Sequence, residues 1–249
     1  MRRFEKVAII GLGLIGGSIA KRLKTMHPER PIASMKKEGC VDILFESWEE
    51  LVQWSDLIVL ATPIGVVVPL ARIIKEAHRT RPVVVIDVGS VKRKICREFE
   101  RLSEGAIEFL GTHPMAGKEL SGWEASEAEL FQGAPWIIAP HGRNSDGVQE
   151  AVIAWVRMLG AHEKVLSAEE HDRKVAFISH FPKVVSEALL AFVRKQEPEA
   201  LELAGPGFLS MTRLAGDNPE MHAEIARHNG DHVQEAMKKW VEYLLEGTR

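Results

Sequence analysis

The chain has 249 residues, 45% hydrophobic and 27% charged, with a formal net charge of −3 and two cysteines. That length holds one large domain or two modest ones, and without a block of Lys and Arg a nucleic-acid partner is not expected. Cys40 and Cys96 have no metal-ligand spacing, so no metal site and a reducing, cytoplasmic setting are expected; no run of 18 apolar residues is read, so no membrane partner is expected, and MRRFEK leads straight into a strand-like run rather than a secretion signal.

Residues 7–10 (VAII) read as a buried parallel strand, short, β-branched and apolar. A helical pattern follows over 14–25, and a second strand falls within residues 31–35. Residues 57–61 (LIVLA) form the next strand, closed by Thr62-Pro63, and 66–78 fit a helix. Residues 83–87 (VVVID) are a strand leading through Gly89-Ser90 into a charged helix over 92–103. Residues 107–111 form a strand ending at Thr112-His113-Pro114, and 136–139 (WIIA) form one more. Strands alternating with helices predict an α/β fold with a Rossmann-type doubly wound parallel sheet. From about residue 165 the pattern is helical only: 167–195 reads as one long helix that Pro182 must kink or interrupt, and 218–246 as another. The expected domains are therefore 1–165, dinucleotide-binding, and 166–249, all-helical.

Gly11-x-Gly13-x-x-Gly16 lies between the first strand and its helix. The first glycine permits a tight turn, the second lets a pyrophosphate approach the backbone, and the third lets helix pack on strand. The helix N-terminus, from Leu14 and Ile15, then offers free N–H groups to the phosphates. No carboxylate stands at the end of the second strand, where an NAD site places one on the ribose. Ser34, Lys36 and Lys37 stand there instead, which favours a 2′-phosphate and hence NADP over NAD. In open α/β sheets ligands bind beyond the carboxyl ends of the strands. Thr62-Pro63, Gly89-Ser90 and Thr112-His113 are delivered to that edge. His113 is the natural proton acceptor beside a nicotinamide, and a hydride donor bearing a hydroxyl needs such a base. The helical half adds Asp172, Ser179, His180 and Arg213. Arg213 stands in an otherwise apolar stretch and calls for an anion, either a carboxylate such as Glu119 or Asp172 or a substrate.

GLGLIGGS, DVGSVK, GTHPMAG with KELSG, HDRKVAFISHFP and TRLAGDNPEM occur in this order. Together they resemble the prephenate/arogenate dehydrogenases of tyrosine biosynthesis over nearly the whole chain. The resemblance implies an NAD(P)-dependent oxidative decarboxylation of a small-molecule cyclohexadiene, and a homodimer formed through the helical domain. It implies that His113 is the catalytic histidine on the 4-hydroxyl and that Ser90 supports the same hydroxyl. It implies that Arg213 grips a substrate carboxylate, that Glu119 and Asp172 share an ionic network with it, and that Ser179 and His180 line the pocket. Three positions depart from the family's pattern. The segment between the second strand and Gly39 is short; Lys183 stands where prephenate-using members commonly have histidine; and His222 stands where the family often has tryptophan. Lys183 would attract a side-chain carboxylate and repel an ammonium, which favours prephenate over arogenate. It is also the feature that keeps a β-hydroxyacid-type reductase in view, as the short segment keeps a non-catalytic dinucleotide sensor in view.

Overall fold

A computed structural model describes residues 4–78, 80–118, 120–216 and 219–247, without the side chains of 219–222. Glu119 and the side chain of His222 therefore lie outside the described residues. The chain divides into two compact units, 1–171 and 172–249.

The first unit runs β1 (Val7–Ile10), α1 (Leu14–Met26), β2 (Ile32–Ser34), β3 (Ile43–Leu44), α2 (Trp48–Trp54), β4 (Leu57–Leu60), α3 (Ile64–Ala77), β5 (Val83–Asp87), α4 (Arg93–Leu102), β6 (Ile107–Pro114), β7 (Pro135–Ala139), α5 (Asp146–Met158) and β8 (His162–Val165). Its strands form one eight-stranded sheet in the order β3-β2-β1-β4-β5-β6-β7-β8. The chain leaves β1 outward through β2 and β3, then crosses back to pair β4 on the other side of β1. That reversal of strand order places the topological switch point at the end of β1, where the glycine turn lies. Every residue of β1, β4 and β5 is buried, as their runs of Val, Ile, Leu and Ala, broken only by Asp87 at the end of β5, require of central strands covered on both faces. Each such side chain contributes roughly 1.5–3 kcal/mol by leaving water.

The sheet is not wholly parallel, as the strand–helix alternation predicted: β6 and β7 pair antiparallel, with His113 opposite Ile137. The reason lies in the connection, which has no crossover helix. Among the described residues, 115–118 and 120–134 hold no helix and lead the chain back at the same edge. A long β6 is the second consequence, running through His113 to Pro114 instead of stopping at 111.

The second unit begins within a continuous helical stretch, α6 (Ala168–Val175), a π-helical turn (Ala176–His180) and α7 (Phe181–Gln196). Pro182 does not interrupt it. Phe181 N donates to Ala176 O, five residues back, and this widened turn carries the helix past a proline that has no N–H to give. The 29 residues from Ala168 to Gln196 include an 18-residue stretch of mean hydropathy 1.4. By length and composition this helix is apolar enough to span a bilayer, contrary to the reading from consecutive apolar residues. It nevertheless carries the buried Lys183 and, one turn on, Glu187. A short 3₁₀ turn (Pro198–Leu203), α8 (Pro206–Thr212), a second 3₁₀ turn (Arg213–Gly216) and α9 (Pro219–Gly247) complete the unit. The last helix is kinked at Asn229, whose φ and ψ (−138°, 16°) are not helical.

Candidate active site

The cofactor cradle is built from the glycine turn. Gly11 has φ +94°, and a Cβ there would lie 2.3 Å from Ala61 O. A Cβ on Gly16 would lie 1.9 Å from Gly11 O. Both glycines are demanded by close backbone packing. Gly13 differs, because nothing lies within 4 Å of the Cβ it lacks. Its bareness keeps space open at the N-terminus of α1, where no side chain caps the helix. Beside it, at the end of β4, Thr62 Oγ1 is buried and has no hydrogen-bond partner among the described residues. Pro63 caps the start of α3, again without a side-chain bond to the free N–H groups. An open cradle, two uncapped helix starts and an unmatched buried hydroxyl fit a pyrophosphate dinucleotide.

The residues expected to read the 2′ end behave differently from one another. Ser34 Oγ donates to Ile9 O (2.8 Å) and is buried, so its single proton is spent on β1. Lys37 Nζ donates to Val41 O (2.8 Å), within its own loop. Lys36 projects outward, 3.9 Å from Glu38. The short loop is closed by Gly39 (φ +45°), which abuts the Trp123 indole; the Lys21 ammonium lies 4.7 Å over that ring.

Next to the cradle, the ends of β5 and β6 are tied together by one carboxylate. Asp87 Oδ2 accepts from Gly89 N (2.8 Å) and from Lys92 Nζ, while Oδ1 accepts from Thr112 N (3.2 Å). Thr112 Oγ1 in turn donates to Asp87 O (2.6 Å) and accepts from Trp136 Nε1 (3.0 Å). Asp87 and Lys92 are fully buried. Burial pushes the Asp87 carboxyl upward, and Lys92 and the two backbone donors pull against that rise. Asp87 thereby fixes the turn that presents Ser90, partly exposed, and the residue that precedes His113. His113 is nearly buried, and its Nδ1 lies 2.9 Å from Nε2 of His171, a hydrogen bond between two imidazoles. The sequence reading identified Ser90, His113 and Thr62 but missed Asp87, Lys92 and His171.

In the helical unit a cavity of about 380 Å³ is lined by His180, Lys183, Glu187, Ile225, Gly230 and Val233, among others. Lys183 Nζ donates to Leu214 O (2.5 Å) and lies 3.3 Å from Glu187. Ser186 Oγ accepts from Ala215 N (3.1 Å). Lys183 and Ser186 thus pin to α7 the turn that opens with the exposed Arg213. Asn229 joins both ends of the π-helical turn: its Nδ2 donates to Asp172 O (2.7 Å) and lies 3.1 Å from His180 Nδ1. Ser179 is exposed and does not line this cavity. One residue along a helix is about 100° around it, so Ser179 and His180 face different ways.

A sheet with a glycine cradle at its switch point and a histidine at its carboxyl edge defines a dinucleotide-dependent oxidoreductase. The chain belongs to the prephenate dehydrogenase family: residues 24–165 match that family's nucleotide-binding domain and 167–246 its dimerization domain. It is 32% identical over 256 residues to prephenate dehydrogenase of Lactococcus lactis, covering 97% of this chain and 70% of that one. It superposes on prephenate dehydrogenase from Aquifex aeolicus, solved with hydroxyphenyl propionate and NAD+, with a TM-score of 0.87 at 27% identity, covering 97% of this chain and 88% of that one. Arogenate dehydrogenase of Synechocystis gives 0.82 at 26% identity, covering 97% and 90%. The chain is an NAD(P)-dependent dehydrogenase.

Proposed function

We propose that the chain oxidises prephenate to 4-hydroxyphenylpyruvate with loss of CO2. The observation that carries this reading is His113 at the carboxyl edge of the sheet, beside a cradle shaped for a dinucleotide. The cofactor, when bound, accepts the hydride that leaves the ring carbon bearing the 4-hydroxyl. His113 draws off the hydroxyl proton as that carbon is oxidised, and Ser90 holds the same oxygen by a hydrogen bond. The bond from the ring to its carboxylate then breaks, its electron pair aromatises the ring, and the proton returns from His113 to the phenolate oxygen. Arg213 is the group proposed to hold a substrate carboxylate, which a guanidinium fork suits. Glu119 and Asp172 keep their proposed place in its ionic network.

Arogenate is the second reading, and Glu187 favours it. The repulsion of an ammonium expected from Lys183 is opposed by the carboxylate 3.3 Å away, so the cavity carries both signs of charge. The proposed preference for NADP rests on Lys36 and Lys37, since Ser34 has no proton to offer a phosphate. We take the helical unit as the substrate-binding and dimerisation domain of a homodimer. Large apolar side chains that stand exposed on it support this, as does the family's description of that domain. Cys40 and Cys96 are both thiols, which supports a cytoplasmic setting.

The deciding experiment is a four-way assay of prephenate and arogenate, each with NAD+ and NADP+, following the reduced cofactor. Prephenate should give the highest kcat/KM. Absence of turnover in all four would reject the reading, and tight dinucleotide binding in that case would leave a sensor. A preference for NADP+ should fall when Lys36 and Lys37 are replaced by Ala.

A further inference from the structure

We propose that His171 is a positioning residue that decides which nitrogen of His113 carries the proton; the inference rests on the function proposed above and adds a residue to it. The two imidazoles meet at 2.9 Å, His113 Nδ1 to His171 Nε2, with their planes 70° apart. Both rings stand on fixed backbone. His113 is held in β6 by its pairing with β7, and His171 N donates to Ser167 O (2.9 Å) in the first turn of α6. His171 is fully buried, so nothing in solvent competes for this contact.

A hydrogen bond between two neutral imidazoles has one donor and one acceptor, and its direction fixes both tautomers. If His171 donates, His113 must carry its own proton on Nε2 and has no lone pair there to act as a base. If His113 donates from Nδ1, its Nε2 holds a lone pair and takes the substrate's hydroxyl proton. The second arrangement is the productive one, and His171 supplies the acceptor that selects it. When His113 becomes an imidazolium the same acceptor stabilises the charge, and the proton then leaves from Nε2 to the phenolate oxygen. The charged side chains on the neighbouring elements are Asp87 and Lys92, which pair with each other, Arg93, which lies 3.8 Å from Glu169, and Glu170, Asp172, Arg173 and Lys174 on α6. A general base acts only while it is unprotonated, so the acid limb of a pH profile reads the state of His113 and of the ring bonded to it.

The test uses the full chain with prephenate and NAD+, comparing wild type, His171→Ala and His171→Gln across about pH 6 to 9, with melting curves to establish folding. His171→Ala should lower kcat by about 10²-fold, leave KM within about threefold and displace the acid limb. His171→Gln, whose amide oxygen still accepts from Nδ1, should recover a large part of the loss. An unchanged kcat, or a loss confined to KM with the acid limb in place, overturns the proposal. Imidazole ¹⁵N shifts in the unliganded protein decide the same point without turnover. A proton on His113 Nδ1 in wild type, lost from that site in His171→Ala, supports the proposal even if prephenate is not the substrate. A proton on Nε2 in wild type overturns it whatever the substrate.

Discussion

Along β1, β4 and β5 of the first unit every side chain is buried, whereas on α7, α8 and α9 of the second unit Phe192, Met211, Tyr243 and Leu245 are each more than 60% exposed. The sheet completes its own core. The helices leave large apolar side chains in water, which the proposed second copy would cover. The two units therefore differ in what should destabilise them. The first should respond to the loss of a single internal partner; the second, if it pairs as proposed, should respond to protein concentration.

The largest effect is expected from breaking the Asp87–Lys92 pair. Lys92→Met leaves a buried carboxylate without its cation and should cost about 3–5 kcal/mol, read as a lower denaturant midpoint at unchanged slope. Next comes Gly11→Ala against Gly13→Ala. The first meets Ala61 O and a φ of +94° and should destabilise the fold; the second meets open space and should leave the melting temperature in place while weakening dinucleotide binding about tenfold or more. On the other side of the comparison, Tyr243→Lys with Leu245→Lys should shift sedimentation from dimer to monomer and leave dinucleotide affinity within about twofold, an outcome that a self-sufficient helical unit would not give. The smallest effect concerns pH. Burial holds the His141 imidazole below its ordinary value of 6.5. The unfolded chain then binds the proton first, so the stability due to neutral His141 is complete above 6.5 and is lost as pH falls through that value. In His141→Gln the denaturation midpoint should vary less between about pH 7 and 5.

The same contrast explains how much could be read in advance. Strands built from Val, Ile and Leu announce themselves, and the turn Gly11-x-Gly13-x-x-Gly16 states its ligand class. β8, His-Glu-Lys-Val on the sheet edge, carries no apolar period, and β3 has only two residues. α5 was legible and passed over: Ser145 caps it by accepting from Val148 N, and Val148, Ala151, Val152, Trp155 and Val156 mark its buried face. In the site, Thr62, Ser90 and His113 could be placed because strand ends share one edge. His171 could not, since its meaning comes from a contact 58 residues away that no local pattern encodes. Lys183 was read for its charge alone. Its i+4 neighbour Glu187 was visible, and the hydrogen bond to Leu214 O was not. Glu119 falls outside the described residues.

The π-helical turn at Ala176–His180 makes this stretch sensitive to length more than to residue type. Removing one residue there would close the coil to an ordinary α turn and set the Pro182 ring against the carbonyl four residues before it, the clash that the wide turn avoids. Asn229, reaching Asp172 O before the turn and His180 Nδ1 at its end, ties the two flanks together. A single-codon deletion between 176 and 180 should therefore be harsher than any one substitution at the same five positions.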